Sequence, residues 1–167
     1  MGDTKSLYDA QAVEKVKEMT EGKICLFCTY NNNEIVSRPM STAGIDDDGT
    51  LWFFSQLDSV KNHQLQVDNK VYLMYLDQDK HHYLSLTGRA EVVRNRKKQD
   101  ELWNVFLKAW FEEGKDDPQV SLIKVIPEDG HYWDTKNGKL VTLLKIAMAA
   151  VSGKRGDDGS VEGDIHL

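Results

Sequence analysis

At 167 residues, with 40% hydrophobic and 29% charged side chains, the chain has the size and balance of one folded domain that buries a core without disulfide or metal staples. No apolar stretch is long enough to cross a bilayer, and the N-terminus "MGDTKSLYDAQAVEK" carries neither a signal-peptide core nor an Arg-rich transit pattern, so a cytoplasmic address is expected. The net charge is −6, and the densest basic cluster (Arg89, Arg94, Arg96, Lys97, Lys98) is offset by Glu91, Asp100 and Glu101, which leaves nucleic-acid binding little electrostatic support.

Ser6 is placed to cap a first helix, with Asp9 as its capping-box partner. Tyr8, Ala12, Val16 and Met19 then recur at helical spacing, and Gly22 offers a stop. Strands are expected at 24–30, 34–42, 50–55, 70–76 and 82–93, separated by turn signals such as "NNNE" at 31–34 and "DDDG" at 46–49. "DDDG" lacks the remaining ligand positions of a calcium loop and reads as a hairpin turn. Alternation is clearest in 82–93, where Leu84, Leu86, Gly88, Ala90 and Val92 share one face.

Asp58 or Ser59 can cap a helix over about 58–67, and a further helix covers about 97–111, with Leu102, Phe106, Ala109 and Trp110 along one side. Strands at 120–126 and 130–134 follow the Asp117-Pro118 break. Residues 140–151 fit either period and are assigned to a strand. The final segment from 152 is Gly-rich and polar, and is expected to be a flexible tail. Many short strands with two or three helices describe a mainly β barrel decorated by helices.

The pair Cys25 and Cys28 has redox C-x-x-C spacing but lies inside "KICLFCTY", a run of strand formers. A redox pair needs a helix N-terminus to lower its thiol pKa, and neither a second C-x-x-C nor a His pair completes a zinc site, so two buried structural cysteines are expected.

Three stretches can carry chemistry. In "SRPMS" (37–41), Pro39 cannot donate to a ladder; this marks either an edge position or a backbone left open beside a ligand, with Arg38 as a fixed fork for a polar group. In "DSVKNHQL" (58–65), Lys61 falls in a first helical turn, where the helix dipole disfavours a cation. An anion there would reverse that penalty by engaging the amides, the Ser59 hydroxyl and Lys61, although Asp58 would compete for the same amides. "LWFFS" (51–55) is either core or an aromatic wall; a planar heterocycle with a phosphate tail would use such a wall and such an anion site together. No acid–base dyad stands out. His63, His81 and His82 read as surface histidines, and no catalytic residue is assigned.

"RPMS", "LWFFS", "DSVKNHQL" and "YLSLTGRAEVV" (83–93), in that order, resemble the split-barrel flavin-binding superfamily of pyridoxamine 5′-phosphate oxidases. "FEEGKDDP" (111–118) and "GHYWD" (130–134) are similar to its general stress protein branch. The resemblance spans about residues 10–150. It implies a homodimer of six-stranded split barrels, the domain covering 1–151 and the tail 152–167, with FMN at the subunit interface.

Arg38, Pro39, Met40 and Ser41 would line the flavin ring and ribityl chain, Phe54 and Ser55 would continue that wall, and Ser59 and Lys61 would hold the phosphate. Tyr83 from the other subunit and Trp133 would approach the ring. The family's basic C-terminal motif is absent from "WDTKNGKLV", so pyridoxamine phosphate oxidase activity is not expected; Val60 also replaces one phosphate-site cation. The resemblance therefore implies an FMN-dependent oxidoreductase with a small-molecule redox partner, linked to stress. The alternative is a non-catalytic protein that binds, stores or senses a flavin, haem or deazaflavin.

Overall fold

A computed structural model of the chain describes residues 3–135 and 160–167. Two short strands, β1 (Asp3–Thr4) and β2 (Leu7–Tyr8), precede helix α1 (Asp9–Thr20). Ala12, Val16 and Met19 form the buried stripe of α1, as their spacing requires. Ser6 does not cap it. Leu7 is held in the sheet against Ile165, so the chain stays extended through Tyr8, which occupies the cap position without a side-chain bond.

The expected strands form at β3 (Ile24–Asn31), β4 (Glu34–Ser41), β6 (Leu51–Gln56), β7 (Lys70–Asp77) and β8 (His82–Val93), with a two-residue β5 (Gly44–Ile45) added. At the "NNNE" turn Asn32 and Asn33 take positive φ, a backbone region asparagine tolerates. Helix α2 (Val60–Val67) follows β6.

Residues 120–126 and 130–134 are not two strands. They belong to one continuous strand, β9 (Val120–Thr135). Pro127 lies opposite Gly88, where the β8–β9 register shifts, so a bulge absorbs the missing donor. A Cβ at Gly88 would sit 2.5 Å from the Ile126 carbonyl oxygen, which is why glycine is needed there.

The helix expected over 97–111 is also shorter. Helix α3 (Arg96–Leu102) begins under an Asn95 side-chain cap, the chain extends at Trp103, and a 3-10 segment runs over Val105–Ala109 under an Asn104 cap. The break turns Trp103 onto Phe54, with ring centroids 5.7 Å apart, and leaves Phe106 and Trp110 exposed rather than on a buried side.

Strands β3, β7, β8 and β9 pair in that order, β9 pairs β6, and β6 pairs β5. After β4 leaves β3, the Ala43 amide donates to the Trp52 carbonyl at 2.8 Å, which carries the chain onto β6. With β4–β5 counted as one bent strand, the ring closes as a six-stranded barrel. Phe27, Phe53, Leu73, Leu86 and Ile123 are fully buried inside it. The packing of Phe53 edge-on to Phe27 at 5.2 Å makes the middle of "LWFFS" core.

The polar tail needs correction. Residues Ser160–His166 form β10, antiparallel to the second half of β9 and parallel to β1 and β2. Ile165 is completely buried there and Val161 packs against the core, so two apolar side chains among polar neighbours anchor the strand. The possible strand over 140–151 and the start of the tail at 152–159 lie outside the described residues. No described helix is long and apolar enough to cross a membrane.

Candidate functional site

Helix α2 starts under Ser59, whose hydroxyl accepts the Asn62 amide at 3.4 Å. Asp58 is exposed and stands outside this cap, which removes the expected competition for the helix amides. Lys61 folds back so that Nζ donates to Ser59 Oγ at 3.3 Å, and Ser55 Oγ lies 3.2 Å from the same oxygen.

The helix start is fixed from below by Asn62, which is fully buried. The two protons of its Nδ2 are shared among the carbonyls of Gln56 and Leu57 and Ser121 Oγ, its Oδ1 accepts from Ser55 Oγ at 2.7 Å, and Ser121 Oγ donates to the Ser55 carbonyl. Every polar atom of this knot has a partner, so the two serines and Lys61 are held in place.

Arg38 joins them from β4. Inward-facing residues of β3 and β4 pair as Phe27 with Arg38 and Cys25 with Met40, so the guanidinium enters the end of the barrel. Its Nη1 donates to Thr29 Oγ1 at 2.7 Å and to the Phe27 carbonyl at 3.3 Å, while Nη2 donates to Gln64 Oε1 at 3.1 Å.

Arg38 and Lys61 are both half-buried, and among the described residues neither has a carboxylate partner. Burial, followed by repulsion from Arg38, holds the Lys61 pKa below its ordinary value; burial does the same to Arg38. Two desolvated cations, Lys61 beside the Ser59 hydroxyl and Arg38 close by, with no carboxylate partner among the described residues, are suited to hold an anion.

The other expected residues are distributed differently. Phe54 points away from Ser55 into an aromatic cluster with Trp103 and Phe111. Met40 packs on the core, whereas Pro39 and Ser41 are exposed on β4, the last strand of the main ladder. Pro39 is thus at an edge, where its missing donor costs little. Tyr83 and Trp133 are cross-strand neighbours on the outer face of β8 and β9, three strands from β4, with Trp133 42% exposed.

That outer face continues through Leu76, Met74, Leu26 and Ile24 by ladder pairing, and Ile24 and Leu76 are exposed by 63% and 56%. A contiguous apolar sheet face of this kind marks an interaction surface. A groove of about 770 Å³ lies at the far end of α2, between Leu57, Val67, Arg89 and Ile126. Arg89 in its wall is bonded to Glu128 and Asn69, and Arg94 and Lys124 also line it.

Thr29, Gln64, Asn62 and Ser121 were missed in the sequence. Gln64 could have been found, because it follows Lys61 by three residues and shares its helix face. Ser121 is brought to Asn62 only by β6–β9 pairing, which local pattern does not encode. His82 is not a free surface residue: its Nε2 lies 2.7 Å from Asp134, which also binds Lys15 of α1. Cys25 and Cys28 are buried, free, and inside β3 as expected; burial pushes the Cys25 thiol up to about 12.

Residues 11–157 match the family model described as "Pyridoxamine 5′-phosphate oxidase like". The chain belongs to this family. A curated relative, protein bli-3 of Neurospora crassa, is 25% identical over 163 residues, covering 91% of this chain and 78% of its own.

Among solved structures of the fold, general stress protein 26 of Jannaschia sp. CCS1 superposes with a TM-score of 0.75 at 23% identity, covering 93% of this chain and 96% of that one. A general stress FMN/FAD binding protein of Xanthomonas citri superposes with a TM-score of 0.65 at 22% identity, covering 77% and 91%. This family member therefore places Arg38, Ser55, Ser59 and Lys61 at one end of a split barrel.

Proposed function

We propose that the protein is a cytoplasmic, homodimeric FMN-binding flavoprotein that acts as an oxidoreductase on a small redox partner in the stress response. The observation that carries the proposal is the Arg38–Lys61 pair: two half-buried cations close enough to repel each other, Ser59 bonded to Lys61 at the start of α2, and no carboxylate partner among the described residues. A phosphate monoester supplies the missing charge and accepts from all three groups. The description of the Xanthomonas relative as FMN/FAD binding agrees with that ligand class.

The outer face supplies the second part of the proposal. Ile24, Leu26, Leu76 and Trp133 are apolar and open in one chain, with the partly buried Tyr83 beside Trp133, as expected for a face that meets a second copy. Dimerisation through it would bring Tyr83 and Trp133 of one subunit toward Pro39 and Ser41 of the other. Phe54 would then contribute backbone rather than its ring, which is committed to Trp103. FMN, when bound, supplies two-electron redox chemistry, while this chain holds the phosphate, orients the ring and limits water access. Pyridoxamine phosphate oxidase activity remains outside the proposal, because "WDTKNGKLV" offers no arginine for a substrate phosphate.

The test is flavin binding followed by reduction. FMN should bind, and riboflavin should bind more weakly. Anaerobic addition of a reduced nicotinamide should bleach the bound flavin with turnover. Bleaching without turnover, or none at all, leaves a carrier or sensor instead of an enzyme. Failure to take up FMN overturns the proposal.

A further inference from the structure

We infer that Gln64 is a positioning residue that sets the preference of this site for a phosphorylated ligand by fixing the guanidinium fork of Arg38. The inference builds on the reading of Arg38 and Lys61 as a phosphate cradle. Three hydrogen bonds close a triangle: Arg38 Nη1 to Thr29 Oγ1 at 2.7 Å, Arg38 Nη2 to Gln64 Oε1 at 3.1 Å, and Thr29 Oγ1 to Gln64 Oε1 at 2.6 Å.

The roles within the triangle are forced. Arginine only donates, so Thr29 Oγ1 accepts from it and gives its single proton to Gln64 Oε1 at 2.6 Å in preference to the more distant Val36 carbonyl at 3.4 Å. The amide oxygen must therefore face the triangle, because an amino group there would meet two donors. Thr29 is completely buried, which gives Gln64 a rigid post on β3.

Two consequences bear on ligand choice. First, the acceptors around Arg38 (Thr29 Oγ1, Gln64 Oε1 and the Phe27 carbonyl) are consumed by its own donors. What remains available at the cluster is donors and positive charge, the complement of a phosphate. Second, Gln64 restrains Arg38 without cancelling its charge. A carboxylate in the same place would accept both hydrogen bonds equally well but neutralise the guanidinium. Because Gln64 stands three residues after Lys61, α2 sets the position of both cations, through Lys61 directly and Arg38 indirectly.

The experiment titrates FMN and riboflavin, by calorimetry, into apoprotein of wild type, Gln64→Glu, Gln64→Met and Lys61→Ala, with each variant's melting temperature recorded. Gln64→Glu should weaken FMN binding by about tenfold or more and leave riboflavin within about twofold. Gln64→Met, which loses the acceptor but not the charge of Arg38, should weaken FMN binding by about threefold, and it decides the matter if Gln64→Glu fails to fold. Retention of the wild-type preference for FMN in both variants, alongside its loss in Lys61→Ala, overturns the role of Gln64 alone. Equal affinity of wild type for the two flavins overturns the phosphate cradle, and the role of Gln64 with it.

Discussion

Replacing Lys61 by methionine should move ligand affinity and stability in opposite directions. The side chain is half-buried, and among the described residues it bonds only Ser59 Oγ, at 3.3 Å, and faces Arg38 without a counter-charge. A charge-assisted hydrogen bond to a phosphate contributes about 1.5–3 kcal/mol, so Lys61→Met should raise the FMN dissociation constant about ten- to hundredfold. Riboflavin, without a phosphate, should change by less than about threefold.

The apoprotein should gain stability. A lysine whose folded pKa lies below its unfolded value destabilises the fold throughout the pH range in which it is charged. Its partial exposure keeps that cost small, so the variant should melt slightly above wild type. The sign also fixes the pH dependence. Between the lowered folded pKa and 10.5 the unfolded chain binds more protons, so wild-type stability rises with pH there and the advantage of the variant shrinks. Calorimetric titration and thermal melts over pH 7–11 check both halves. A variant that loses both flavins equally, or whose apoprotein melts below wild type, refutes the argument from an uncompensated cation.

Leu26→Glu places a charge on the outer sheet face without disturbing the barrel interior, so sedimentation should show a dimer shifting to monomer with an unchanged fold; a monomeric wild type would refute the interface. Ile165→Ala removes a fully buried side chain from β10 and should cost about 2–5 kcal/mol by denaturant unfolding, against almost nothing if the segment were a loose tail. Cys25, with its thiol pushed up to about 12 by burial, should react with alkylating reagents only in denaturant, and no Cys25–Cys28 disulfide should form under mild oxidants.

Local pattern carried much of the fold. Strand β8 was legible because polar and apolar residues alternate along it, and α2 because Ser59 is a good cap. What escaped depended on distant partners. Ser160–His166 is polar by composition and becomes a strand only because β9 on one side and β1 and β2 on the other receive it. The break at Trp103 follows from a contact with Phe54, far away in sequence. At the candidate site, Lys61 drew notice because it violates a helix rule, and Arg38 because Pro39 disrupts its strand. Their convergence depends on the β3–β4 pairing and the bend of the barrel, which no single stretch encodes. Asn62 breaks no rule and so gave no signal, and Gln64 was signalled only by its spacing from Lys61 on α2.

Titrating apoprotein with FMN and with riboflavin under identical conditions decides whether Arg38, Ser59 and Lys61 form a phosphate cradle for a flavin. FMN should bind saturably at one flavin per chain, tighter than riboflavin by about tenfold or more. Equal affinities for the two flavins, or no FMN uptake, would rule the cradle out.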